Sequence, residues 1–505
     1  MRSKKAVKNI ITSLLQQVVT VICGLIVPRA IIGSFGSSVN GLVSSITQFL
    51  GYITLLEAGI GPVIKSALYK PIAKKDKTQI EKILKASQRF FRVISGIFII
   101  YLIALCFVYP LIVSTEFETG YTVSLIIIIA ISTFTEYFFG MVYRLYLQAE
   151  QKTYITSTIQ ILTTILNAIL VVLLIKFGAN IQVVKLGSAF VFVLRPIIQN
   201  IYVKKKYNID FKEIKEKYEL KQKWDGLAQH IASVVHNNTD IAILTIFTTT
   251  VEVSVYSVYL YVVSGVKNMV QALTGGVDAS FGDMIAKGEQ ENLNRSFKTY
   301  ELFYFTLITI VYIITLVMIL PFVKVYTQGI TDANYYRPTF AILITVAELM
   351  WSIRLPYSSV TLAAGHFKQT NKGAWVEVFS NLIISIVLVF KFGMVGVAIG
   401  TLVAMTIRTI EFMYHTSKYI LKRSQMENIK RIVILLVEML VIVPIGFFIS
   451  RFIEVNSYIS WLVLAVIVGV IALLVVGTAN SIIYRKDLKD LLDMIKRNFK
   501  RKEVS

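Results

Sequence analysis

The segment LQAEQKTYITSTIQILTTILNAILVVLLIKFG, Leu147 to Gly178, has a counterpart in LAAGHFKQTNKGAWVEVFSNLIISIVLVFKFG, Leu362 to Gly393. At a constant offset Leu147 aligns with Leu362, Ala149 with Ala364, and the two Lys-Phe-Gly ends coincide. After a two-residue change in spacing the match resumes, LGSAFVFVLRP from Leu186 against IGTLVAMTIRT from Ile399. Each block carries a Gly followed eight residues later by an Arg, Gly187 with Arg195 and Gly400 with Arg408. Such a pattern reads as one helical unit used twice. Each copy has six apolar runs, an even number, so both enter from the same side of a bilayer as parallel repeats.

The flanking sequence supports a membrane reading. The chain has 505 residues and a mean hydropathy of +0.67. Its apolar runs reach about 20 residues, the length a helix needs to cross the hydrocarbon core. They are too long for the strands of a transmembrane barrel. Charged breaks divide the chain into fourteen expected spans. The resulting organisation is a six-helix lobe over 1–210, a basic linker over 211–223, a second six-helix lobe over 224–430, helices 13 and 14 over 431–484, and a basic tail over 485–505. The first run, Asn9 to Ile32, follows basic residues but is too long for a signal h-region, and is read as a retained span. Cys23 and Cys106 both lie in apolar runs and read as small hydrophobes.

A net charge of +22 invites a nucleic-acid reading, but the charges fall in one alternate set of loops. KPIAKKDK, the linker KKKYNIDFKEIKEKYELKQK, KRSQMENIKR and the tail carry nearly all of the loop Lys and Arg. STEFETG, FGAN and EVNS carry almost none. Basic loops stay cytoplasmic, so both termini are expected inside, facing anionic inner-leaflet lipids instead of nucleic acid.

Ionisable groups at membrane depth mark a candidate substrate path, because each is costly unless it meets a partner or water. Arg195, His236, Asn237, Asp240, Lys267, Arg354 and Arg408 are the candidates for substrate binding. Glu57, Glu136, Glu348 and Glu411 are the candidates for gating or ion coupling. In ASVVHNNTDIAIL, Ala232 to Leu244, the residues Ser233, His236, Asn237 and Asp240 fall at i, i+3, i+4 and i+7 on one helix face. Arg408 with Glu411, and Glu348 with Arg354, admit a second reading as ion pairs that hold helices together. Arg144 lies near a span end, where snorkelling to headgroups accounts for it. Replacing Arg408 by Ala is expected to abolish transport with abundance intact. The glycine breaks AGIGP, Ala58 to Pro62, and TGG, Thr274 to Gly276, are expected to let the second and eighth spans bend. No metal-ligand, catalytic-triad or phosphate-loop spacing occurs, so no enzyme activity, metal or cofactor is expected. Coupling to a proton or a sodium ion is compatible with the carboxylates.

FGSSVNGL (Phe35 to Leu42), LLEAGIGPVI (Leu55 to Ile64) and FGMVGVAIGT (Phe392 to Thr401) resemble patterns of bacterial polysaccharide flippases. These form the polysaccharide-transport branch of the multidrug/oligosaccharidyl-lipid/polysaccharide (MOP) superfamily. The sequence departs from the pattern at Glu57, where relatives often carry Asp, and at Ser38–Val39. The resemblance implies an all-helical, V-shaped, MATE-like fold, with two C-terminal helices beyond the repeats. It implies export of an undecaprenyl-pyrophosphate-linked oligosaccharide by alternating access, for capsule, exopolysaccharide or O-antigen assembly in the bacterial cytoplasmic membrane. A polysaccharide polymerase and glycosyltransferases are the implied partners. The alternative is a multidrug or organic-cation antiporter of the same fold; such relatives use an acidic residue in the first span, which this one lacks.

Overall fold

A computed structural model describes residues 2–57, 59–209, 218, 227–274 and 277–485. Most of the basic linker and tail, together with Ala58 and the Gly275–Gly276 break, lies outside the described residues. The described chain is helical throughout. Twelve of its helical segments are long and apolar enough to cross a membrane, which makes this a multi-pass membrane protein. Two of the fourteen expected spans, α9 (Leu227–Phe247) and α10 (Thr250–Thr274), form helices but are not among those twelve. In α9 the polar run His236 to Asp240 dilutes the apolar character.

The chain forms two compact units. The first holds residues 1–261, with Gly329–Ala333 and Val389–Met394; the second holds the remainder. In the first unit α1 (Arg2–Phe35) packs on α7 (Thr153–Lys176), and α7 on α8 (Ile181–Tyr207). The helix α2 (Ser37–Gly51) packs on α9. In the second unit the long helix α12 (Gln290–Tyr326) packs on α13 (Pro338–Ala363), α16 (Gln425–Ser450) and α17 (Tyr458–Ile483). There too lie α14 (Asn371–Phe392), apart from its last turn, and α15, which spans Met394–His415.

Glycines set the close approaches. Gly36 has φ +87° and starts α2, whose first amide is capped by the Asp332 carboxylate at 2.6 Å. Gly41 lies directly against the Thr250 carbonyl, where a Cβ would overlap the backbone. Gly187 sits under Leu170 and Leu174 of α7, and Gly400 under Asn381 and Ser385 of α14. The paired glycines recognised in the sequence therefore lie at helix crossings of the same kind.

The second expected span, which carries AGIGP, is interrupted. After α2 a 3-10 turn occupies Tyr52–Glu57, and α3 (Ile60–Lys74) restarts after Gly59, at φ +75°. A second irregularity is a π-turn over Glu136–Gly140, between α5 (Thr119–Thr135) and α6 (Met141–Ala149). It lets Gly140 meet the Pro196 ring of α8. Such turns recur at functional sites.

Gly41→Val is expected to destabilise the fold by about 1–3 kcal/mol, since overpacking here displaces backbone. Gly96→Ala, where nothing lies within 4 Å of the added Cβ, should be neutral or slightly stabilising. Thermal unfolding of the detergent-purified variants measures both.

Candidate functional site

The first unit encloses a cavity of about 420 Å³, lined by one stripe from each of several helices. On α8 the stripe is Lys185, Ser188, Phe192 and Arg195, at i, i+3, i+7 and i+10. On α7 it is Gln160, Thr164 and Asn167; on α2 it includes Asn40, Ser44 and Gln48. Two cations, several hydroxyls and amides and a number of apolar side chains face the space, and among the described residues no carboxylate lines it.

Arg195 is held by neutral partners. Its Nε donates to Thr163 Oγ1 at 2.6 Å and its Nη2 to Thr164 Oγ1 at 2.8 Å, while the guanidinium lies 4.3 Å over the Phe192 ring. The nearby Glu136 is engaged by Arg144 at 3.0 Å, so Arg144 has an ion pair besides its place near a span end. Lys185, half-buried, has no charged partner among the described residues. Sequence reasoning missed Lys185 because it lies close to the start of its apolar run. Its register with Ser188 and Arg195 was the available signal.

The polar stretch of α9 divides. His236 and Asp240 are buried, whereas Ser233 and Asn237 are exposed, with Asn237 Nδ2 donating to the Ser233 carbonyl at 2.7 Å. Asp240 accepts from the Tyr256 hydroxyl at 2.6 Å. Ser45 bonds Thr245 at 2.6 Å and accepts from Tyr109 at 2.8 Å. Asn40 donates to Ser254 at 2.8 Å. These bonds form a seam joining α2 to α9 and α10, to which the polar stretch contributes Asp240. On the 3-10 turn, Glu57 accepts from the Tyr137 hydroxyl at 2.5 Å, tying that turn to the π-turn.

In the second unit the ionic residues compensate one another. Lys267 pairs with Glu348 at 3.2 Å, and its ammonium lies 5.1 Å from the Trp351 ring. Arg354 pairs with Glu377 at 2.9 Å, and Glu377 with Arg408 Nε at 3.1 Å. Arg408, fully buried, also bonds Glu411 and donates to the Thr370 carbonyl at 2.9 Å. The four-membered chain Arg354–Glu377–Arg408–Glu411 carries no net charge. Glu348 therefore pairs with Lys267 and not with Arg354, while the Arg408–Glu411 pair forms as its i, i+3 spacing allowed. Glu377 went unnoticed in the sequence, although it is the one acid between Ala374 and Phe390. A further cluster joins Glu301 to Arg423 at 2.5 Å, Arg431 at 3.6 Å and the Tyr357 hydroxyl at 2.6 Å.

Removing Arg408 takes one of its two cations from the buried Glu377 and the ion-pair partner from the half-buried Glu411, a defect that costs up to about 3–5 kcal/mol. Arg408→Ala is thus expected to lower thermal stability and membrane abundance, in contrast to the intact abundance the sequence suggests. Arg408→Ala combined with Glu377→Gln should recover part of the loss, read as unfolding temperature in detergent.

No protein-family model matches this sequence, and no curated protein matches it. Solved structures do. The inward-closed form of the lipid II flippase MurJ superposes with a TM-score of 0.63 at 16% identity, covering 96% of this chain and 98% of its own. An inward-facing multidrug-resistance MATE transporter of the MOP superfamily gives 0.61 at 14% identity, covering 81% of this chain and 97% of its own. A MOP-superfamily transporter from Pyrococcus furiosus, titled for the reverse polarity of its binding pocket, gives 0.54 at 15% identity, covering 83% and 97%. At these identities the likeness is one of architecture: the chain has the fold of the MOP-superfamily transporters.

Proposed function

We propose that this protein is a flippase that moves a polyprenyl-pyrophosphate-linked oligosaccharide from the cytoplasmic to the outer leaflet of a bacterial membrane by alternating access. The observation that carries the reading is the cavity of the first unit. It presents Lys185 and Arg195 with amides and hydroxyls and no carboxylate. A cation in such a place needs a countercharge or water, and a pyrophosphate supplies the former. The hydroxyls and amides suit a sugar.

The remaining features of the proposal follow from the sequence. All fourteen helices cross the bilayer, the two repeats run parallel, and both termini are cytoplasmic by the charge of their loops. The expected lobes at 1–210 and 224–430 rock against each other. Exporting two negative charges across an inside-negative membrane releases roughly 4–5 kcal/mol per 100 mV, so the potential alone favours the outward direction. Proton or sodium coupling through the carboxylates, and association with a polymerase or glycosyltransferases, belong to the same proposal.

A multidrug cation antiporter is the competing reading, supported by the likeness to MATE structures. Two observations favour the flippase. The cavity is cationic, which repels an organic cation. The MATE chain, itself matched over 97%, leaves about a fifth of this chain unmatched, whereas MurJ leaves little.

Expression in a bacterial mutant lacking its capsule or O-unit flippase is expected to restore surface polymer. A charge-assisted hydrogen bond contributes about 1.5–3 kcal/mol, so Lys185→Gln should weaken substrate binding roughly ten- to hundredfold and cut polymer export at unchanged abundance. Normal polymer output from Lys185→Gln with Arg195→Gln would remove the cavity from the mechanism.

A further inference from the structure

The second unit holds another basic recess, of about 390 Å³, where one end of α12 meets the start of α16 and the end of α17. Lys298 of α12, Lys430 and Arg431 of α16, and Arg485 just past α17 line it. Among the described residues Glu427 is its one lining carboxylate, and it lies 3.6 Å from Arg423. The recess has a buried floor and an exposed rim. Arg431 is nearly buried, its guanidinium 3.8 Å over the Tyr484 ring and its Nε 3.6 Å from Glu301. Lys298 and Lys430 are exposed, the Lys430 ammonium 5.3 Å from the same ring.

We infer that this recess binds the phosphate of an anionic phospholipid. Clustered Lys and Arg on a rigid aromatic support suit a phosphodiester. The source is argued from what adjoins it. Along α16, Ile429, Val433, Leu436 and Leu440 are each about half exposed or more, at i, i+4, i+7 and i+11. This apolar stripe begins beside Lys430 and runs away from the recess, so a headgroup held there lays its acyl chains along the helix. A soluble phosphate has no use for the stripe. None of these residues belongs to the cavity of the first unit, so the inference stands apart from the proposed transport activity.

The test is native mass spectrometry and thermal unfolding of the full-length detergent-purified protein. The probes are phosphatidylglycerol, phosphatidylcholine of the same chains, and inorganic phosphate. Phosphatidylglycerol should be retained and raise the unfolding temperature; the other two should do neither. Lys430→Gln with Arg485→Gln should lose most of that retention and shift, whereas Lys70→Gln with Lys74→Gln, exposed residues of α3, should keep both. Equal retention in the recess variant, equal loss in the α3 variant, or equal retention of phosphatidylcholine each overturns the site. A shift reproduced by inorganic phosphate alone overturns the lipid as its occupant. If the double variant does not fold by size exclusion, Lys430→Gln alone decides: partial loss supports the site and unchanged binding overturns it.

Discussion

A charged side chain at the middle of a bilayer costs at least about 2.5–3.5 kcal/mol unless it meets a countercharge, a polar neighbour or water. The two units meet this constraint differently. In the second, Lys267–Glu348 and the chain Arg354–Glu377–Arg408–Glu411 are closed, neutral sets. In this arrangement they join helices as ion pairs, the second reading that their sequence positions admit. In the first, Lys185 and Arg195 face a space lined by hydroxyls and amides. Arg195 has polar neighbours there in Thr163 and Thr164, and under the proposed function an entering anion would supply the countercharge. Under that proposal the weight of the ionic residues falls on the first unit.

The irregular backbone serves the same constraint. Hydrocarbon offers no hydrogen bonds to an interrupted helix, so breaks persist only where protein or water satisfies them. The 3-10 turn after α2 and the π-turn before α6 are joined through Glu57 and Tyr137. The α2 start at Gly36 is capped by Asp332. Of the polar residues that look like a substrate path along α9, Asp240 is bonded to Tyr256 of α10, while Ser233 and Asn237 are exposed and Asn237 bonds back to its own helix.

Much of the fold was legible because membrane helices announce themselves by length and apolarity. The α3 break was legible in AGIGP, since Gly59 needs its positive φ. Within one helix, spacing also sufficed: Arg408 finds Glu411 three residues on. Between helices it failed, because the rotation of each helix about its axis decides which charges meet. Hence Glu377, the centre of the second unit's ionic chain, and Lys185, which has no charged partner among the described residues, were both overlooked. The same rotation splits the α9 face, turning His236 and Asp240 inward and leaving Ser233 and Asn237 outside.

The central claim is that the first unit's cavity selects a phosphate-bearing anion over an organic cation. Direct binding to the purified protein, followed by native mass spectrometry, tests it with a polyprenyl-pyrophosphate oligosaccharide and a quaternary-ammonium drug in competition. Retention of the pyrophosphate lipid, lost on Lys185→Gln and unaffected by the drug, is the predicted result. Retention of the drug with no hold on the pyrophosphate lipid would contradict it.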